Sequence, residues 1–298
     1  MKIGTWGSTF GRDEVFRQLR ELGLIEQLAE FDTFGFTVIP PEKIGRPDLF
    51  ERMRERVLEI AGERTGIPHT LDGRVQLGKL KAQPQSPNQF VLYYLLAEDA
   101  AFREAVAHPV VRLFLQTVLG TAFHVSSCAA FVKSKGDSYG DGLGLHADAG
   151  DFPEPLPGPG TYSHGCNTNW LLTDYTAENG PLCVVPGSHR WCRLPRGGEG
   201  IDQAIPVEGR TGSVVVFHGN LWHGGLPKQT DGLRLSVNAF YTRPYAATQE
   251  NYRGKFSPEV LATHGEWFAR LVREYDSMGW ESGDGPTQFE QLRGSRIL

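Results

Sequence analysis

The chain has 298 residues, with 30 Lys and Arg set against 35 Asp and Glu for a formal charge of −5, so no basic stripe is available to neutralise a run of phosphates and a nucleic-acid partner is disfavoured. At 40% hydrophobic and 22% charged residues it is long enough to bury a core without disulfides or a structural metal, and Gly 36 with Pro 19 favours short strands and many turns over a helical bundle. Cys128, Cys166, Cys183 and Cys192 are scattered with no Cys-x-x-Cys pair, the first residues lack an apolar signal segment, and no run reaches the ~18 apolar residues of a membrane span, so a reduced, cytoplasmic protein with no membrane partner is the expectation.

In chain order, Val15, Leu19, Leu22, Ile25 and Leu28 fall at three- and four-residue intervals and predict one amphipathic helix over residues 13–31. Phe36-Thr-Val-Ile39 reads as a short strand entering the core. Phe50, Met53, Val57 and Ile60 repeat the helical spacing, as does the segment 102–119, where Pro109 opens a new helix. From about His124 the pattern turns to short β-rich runs at 124–132, 168–175, 182–185, 213–217 and 233–242, separated by Gly/Pro turns. That spacing fits a sandwich or jelly roll and not alternating βαβ units. A last amphipathic helix carries Val260, Trp267, Leu271 and Tyr275. No linker divides these parts, so residues 1–298 read as one domain: a helical buttress over about 1–120, a β core over about 121–245 and a helical end over about 246–298. The Pro/Gly-rich stretch 151–160 is a candidate lid.

His146 and Asp148 stand two apart in Leu145-His-Ala-Asp148, so on an extended segment both side chains leave the same face. One imidazole and one carboxylate supply two ligands of a 2-His-1-carboxylate site for iron(II). Alone, the pair is a weak signal, and a turn with a solvated carboxylate explains it equally well. A third ligand has to come from a distant strand. Two histidines compete after the apolar run 212–217: His218, which suits a packed position on the strand, and His223, which is better placed on the turn beyond it. In Leu233-Arg-Leu-Ser-Val-Asn238 the polar Arg234, Ser236 and Asn238 share one strand face. An arginine there needs a carboxylate. A bound dicarboxylate or one of the chain's own acids would serve.

Taken together, these motifs resemble the phytanoyl-CoA dioxygenase-like family of iron(II)/2-oxoglutarate oxygenases. The likeness runs from Phe31-Asp-Thr-Phe-Gly-Phe-Thr-Val-Ile39 through His146-x-Asp148 and Glu178-Asn-Gly-Pro-Leu-Cys-Val-Val-Pro-Gly-Ser-His189 to His223 and Arg234-x-Ser236, with eleven positions from His223 to Arg234. The resemblance implies a mainly β fold with flanking helices, its core a double-stranded β-helix or cupin-like jelly roll. It implies that His146, Asp148 and His223 bind Fe(II), and that Arg234 and Ser236 hold the distal carboxylate of 2-oxoglutarate. Trp170 is similar to a tryptophan lining the co-substrate pocket, although a core aromatic fits the same position. Some members add a lysine, for which Lys79 and Lys81 are the nearest candidates here. The implied reaction consumes O2 and 2-oxoglutarate and hydroxylates a small molecule of the secondary-metabolite kind; the alternatives are desaturation, epimerisation or cyclisation by the same chemistry or action on an acyl-CoA, and, outside it, a cupin-like metal protein that does not use 2-oxoglutarate or a non-catalytic binding protein. Asp148 occupies the position that halogenating relatives leave open, which disfavours halogenation. The Pro186-Gly-Ser-His189 turn reads as structural, and His164 as an exposed loop residue.

Overall fold

Apolar β-branched runs pair where their alternation lets one face meet helices and the other a cavity. The computed structural model describes residues 9–80, 86–148 and 163–274. Strands β1 (Phe36–Ile39), β2 (Gln89–Leu92), β3 (His124–Lys133), β4 (Gly165–Leu171), β5 (Leu182–Val184), β6 (Ile205–Pro206), β7 (Val214–His218), β8 (His223–Gly225) and β9 (Arg234–Thr242) form two antiparallel sheets. The six-stranded sheet runs β1-β7-β4-β9-β3-β2 and the three-stranded sheet β6-β5-β8. This is the jelly-roll arrangement, with sequence neighbours dispersed between sheets.

Period-two alternation assigns the two faces of the large sheet. Trp170, Val214, Val216, Leu235, Val237 and Ala239 point outward and join one core with Leu19, Phe31, Met53, Val57 and Phe114 from the helices. Those helices, Thr9–Glu21, Ile25–Phe34, Pro47–Thr65, Ala100–Val106 and Pro109–Leu119, precede the main strands and buttress the sheet as one layer. The opposite, concave face carries Leu171, Val215 and Phe217, which pack with Val184 and Leu221 between the sheets.

The segment 13–31 is not one helix. Gly23, at φ +66°, ends the first helix and Ile25 starts the second. Leu22 and Ile25, counted on the apolar face, flank that break and stay 41% and 39% exposed. Glycine's freedom at positive φ outweighs a periodicity that spans the break by coincidence of phase. The helix after residue 257 is Pro258–Leu271, capped by Ser257 accepting from the Val260 amide and interrupted at Gly265; Tyr275 lies outside the described residues. No described helix is long and apolar enough to cross a membrane.

Candidate metal centre and anion cradle

His146 and His223 are brought together by the backbone before any side chain acts. Their amides and carbonyls bond reciprocally, His146 N to His223 O at 3.0 Å and His223 N to His146 O at 2.9 Å. In such a directly opposed antiparallel pair both side chains leave the same face, and the two rings lie 4.2 Å apart. The Asp148 amide donates to the Gly219 carbonyl at 2.9 Å, which returns the carboxylate to the same side. Gly224 permits this closeness: a Cβ there would sit 2.2 Å from the Leu143 carbonyl oxygen.

Nε2 of His146 lies 3.7 Å from Asp148 Oδ1, and Nε2 of His223 3.7 Å from Asp148 Oδ2. The three donor atoms fall within 4.8 Å of one another, the spacing of ligands around one ion. Each imidazole is oriented from behind: His146 Nδ1 meets the Gly144 carbonyl at 2.7 Å and His223 Nδ1 the Leu221 carbonyl at 2.9 Å. A carbonyl accepts only, so each Nδ1 carries the proton and each Nε2 keeps its lone pair for a metal. Burial first, and the His146 ring next, pull the His223 pKa down to about 4, so His223 is neutral near pH 7. The Asp148 carboxylate is held by Asn167 Nδ2, which donates to Oδ2 at 2.5 Å. Two imidazoles and one oriented carboxylate, grouped on one side, suit iron(II) with open positions.

A cavity of about 620 Å³ opens between the sheets beside this cluster. On its inner wall Arg234 is 5% exposed and has no acidic partner among the described residues. Its Nη1 donates to Tyr175 Oη at 2.8 Å and to Ser236 Oγ at 3.0 Å, and its Nε finds no acceptor. Tyr175 Oη also accepts from Asn169 Nδ2 at 3.1 Å. With both acceptor positions of Tyr175 engaged, its own hydroxyl proton is free to donate into the cavity. A guanidinium, a phenol and a serine hydroxyl thus converge with donors to spare, the complement of a carboxylate.

Two expectations fail here. Trp170 does not line this cavity. It is fully buried on the convex face of β4, with its ring 5.3 Å from Phe50 and 5.8 Å from His108. Side chains alternate along a strand, so it is Asn169, one position earlier, that faces the cavity. His164 is not exposed either; it is 8% accessible, with its ring set edge-on to Tyr245. Lys79 is exposed beside Gly66 and does not border the cavity. Lys81 and the candidate lid at 151–160 lie outside the described residues. His218 ends β7 fully buried, its Nδ1 accepting from the Asn220 amide at 3.0 Å and its ring against Phe31 and His189. Ser188 Oγ accepts from the Trp222 amide at 2.8 Å, consistent with a structural turn at 186–189.

Asn167 and Tyr175 carry site geometry that no motif flagged. Asn167 shares the cavity-facing parity of Asn169, which was readable once the face of β4 was known. Tyr175 lies beyond the strand end, and its reach to Arg234 depends on a tertiary turn.

The jelly roll with a two-histidine, one-carboxylate cluster beside a buried arginine is the architecture of the iron(II)/2-oxoglutarate-dependent oxygenases. The family model described as phytanoyl-CoA dioxygenase (PhyH) matches residues 31–236, and the chain belongs to that family. Among curated relatives it is 29% identical over 182 residues to dioxygenase af480 of Aspergillus fumigatus, an alignment spanning 60% of this chain and 56% of that protein. Among solved structures, the carbocyclase SnoK from nogalamycin biosynthesis shares the fold at a TM-score of 0.56, with 20% identity and coverage of 78% of this chain and 90% of that one. HygX from Streptomyces hygroscopicus, solved with nickel, 2-oxoglutarate and hygromycin B, aligns at a TM-score of 0.53 with 21% identity, covering 75% of this chain and 88% of its own.

Proposed function

We propose that the chain hydroxylates an unactivated C–H bond of a small molecule of the secondary-metabolite kind, with His146, Asp148 and His223 holding iron(II) and Arg234 and Ser236 binding the distal carboxylate of 2-oxoglutarate. The observation that carries this reading is Arg234. A buried guanidinium with no acidic partner among the described residues is costly unless a ligand brings the missing charge. A metal protein that makes no use of a dicarboxylate has no reason to keep it.

Iron(II), 2-oxoglutarate and dioxygen supply the oxidising chemistry, with succinate and carbon dioxide released. The chain's own residues set the geometry. The Gly144 and Leu221 carbonyls fix the imidazole tautomers, and Asn167 fixes the rotation of the Asp148 carboxylate. Arg234, Tyr175 and Ser236 draw one end of the co-substrate toward β9, leaving its other end directed at the metal ligands. Val91, Tyr93, Phe131 and Tyr139 form the outer wall, joined by Gln89, whose Nε2 donates to Tyr139 Oη at 2.6 Å. Among the described lining residues the formally charged ones are Asp148 and Arg234. Both are committed to metal and co-substrate, so a largely uncharged, partly apolar substrate fits this wall better than a CoA ester. A change of substrate pose alone would divert the same machinery to desaturation, epimerisation or ring closure.

The test has two stages. Anaerobic iron(II) protein titrated with 2-oxoglutarate is expected to develop a visible charge-transfer band, lost in Asp148→Ala. A panel of uncharged polycyclic natural products, aminoglycosides and acyl-CoAs is then screened for stimulated succinate formation. Failure of the band to form sinks the co-substrate assignment; stimulation by acyl-CoA alone sinks the substrate class.

A further inference from the structure

Across the concave face, Arg234, Lys133 and Gln89 stand side by side, because Lys133 on β3 pairs with Arg234 on β9 and with Gln89 on β2. Directly paired residues of an antiparallel sheet project to the same side. Lys133 is completely buried. Its Nζ donates to the Leu226 carbonyl at 2.5 Å and lies 5.6 Å from the centre of the Tyr139 ring. A Cβ on Gly225 would stand 3.7 Å from that nitrogen. Tyr139 and Gly225 both border the cavity, so the amine sits just behind its wall. No carboxylate forms an ion pair with Lys133 or Arg234 among the described residues. The groups facing the lysine are Arg234 from β9, Cys183 from β5, Lys228 beyond β8, and Tyr139 and Asp137 from the loop that follows β3.

Two buried cations side by side repel, and each has lost its water. Such a pair persists if one partner stays neutral or an anion arrives. Desolvation, and then Arg234, pull the Lys133 ammonium down to about 7. Arginine cannot give up its proton, so lysine is the partner that does.

We propose that Lys133 is a proton-coupled second cation of the co-substrate cradle, able to shed its proton while the cavity is empty, mainly so above neutral pH, and protonated from solvent when the dianion of 2-oxoglutarate docks on Arg234. This rests on the assignment of Arg234 as the carboxylate anchor. The balance is one proton taken from the buffer onto Nζ per ligand bound, with no change in the ligand itself. Affinity for 2-oxoglutarate should therefore weaken by roughly five- to tenfold for each pH unit above about 7, because each binding event must draw a proton from an ever scarcer supply.

Calorimetric titration of the full-length nickel(II)-loaded protein with 2-oxoglutarate, at about pH 8 in two buffers of different ionisation enthalpy, reads that proton directly. The expected result is uptake approaching one proton per ligand, with none in Lys133→Met and in Lys133→Gln, which keeps a donor for the Leu226 carbonyl. The pH dependence should flatten in both variants. Binding without uptake in the wild type, or uptake undiminished in the variants, overturns the role of Lys133 and leaves Arg234 intact. Absence of any 2-oxoglutarate binding overturns both. If neither variant folds, the wild-type measurement decides.

Discussion

Arg234 is retained at a cost to the empty protein. It is nearly inaccessible, and among the described residues it donates to neutral partners, Tyr175 and Ser236. Replacing a buried, imperfectly paired ion by an apolar side chain of similar length often stabilises a fold by ~1 kcal/mol or more. Arg234→Met should therefore unfold at a higher temperature than the wild type without ligand, yet bind 2-oxoglutarate at least ~30-fold more weakly, the loss of about 2 kcal/mol or more that follows removal of one member of a buried charge pair. Differential scanning calorimetry paired with ligand titration checks both signs. Asn167 makes a complementary case. Its amide donates to the carboxylate of Asp148, the proposed ligand, and such supporting contacts carry about 10- to 100-fold in metal affinity. Asn167→Ala should lose that much cobalt(II) affinity, followed through the metal's visible absorption, with the fold unchanged. At this scale the candidates legible in the sequence are those with an intrinsic chemical signature: His146 and Asp148 by donor type and spacing, Arg234 by a charge on an apolar strand, and His223, preferred to His218 by its place past the strand. Asn167, Tyr175 and Lys133 carry no such signature. Their meaning comes from which atom they meet across a sheet or a turn.

Strand parity explains the clearest error. Trp170 and Asn169 are adjacent in sequence but separated by the whole thickness of the sheet, and a motif offset cannot tell them apart. The ring of Trp170 fills the junction between β4 and the helices beside Phe50 and His108. Trp170→Ala should cost about 3–5 kcal/mol of stability as a core truncation, while the folded remainder binds 2-oxoglutarate with wild-type affinity. Urea denaturation and ligand titration separate these outcomes, and a weakened affinity would return the tryptophan to the pocket. The long strands were readable from their alternation, with ends shifted by a few residues. Strands β2, β6 and β8 were not: they span four, two and three residues, and unlike the equally short β1 and β5 they lack a β-branched apolar run with turn residues on both sides to mark them. Beyond β7, His223 belongs to β8 and not to a free turn, a distinction created by its pairing with Val184 of β5.

The architecture as a whole was legible because many turns, β-rich runs and a helical first third agree on one layout. That layout buries histidines in their neutral form at two levels. Burial, then Arg46, holds His108 at about 4 behind the sheet, while burial and then His146 hold His223 at about 4 inside it. In an unfolded chain each would titrate near 6.5. The unfolded state therefore binds more protons between these values, so stability is complete above about pH 6.5 and falls as pH drops toward 4. Each histidine contributes a slope of about 1.4 kcal/mol per pH unit over that window. Metal-free protein should show this acid-side fall in urea midpoints, and His108→Phe should flatten it; an unchanged slope would mean that His108 is charged in the fold.

The reciprocal amide pairing of His146 with His223 has a mechanical side. The segment approaching β4 is tacked to the small sheet by the His146–His223 rung and by the Gly225 amide donating to the Leu143 carbonyl, and an ion gripping both imidazoles would rivet the first of these from the side-chain end. Chelation would then do more than empty a coordination sphere: it would unfasten the seam between two stretches far apart in sequence. Deuterium should enter the two bridging amides first, well before the long strands of the large sheet begin to exchange.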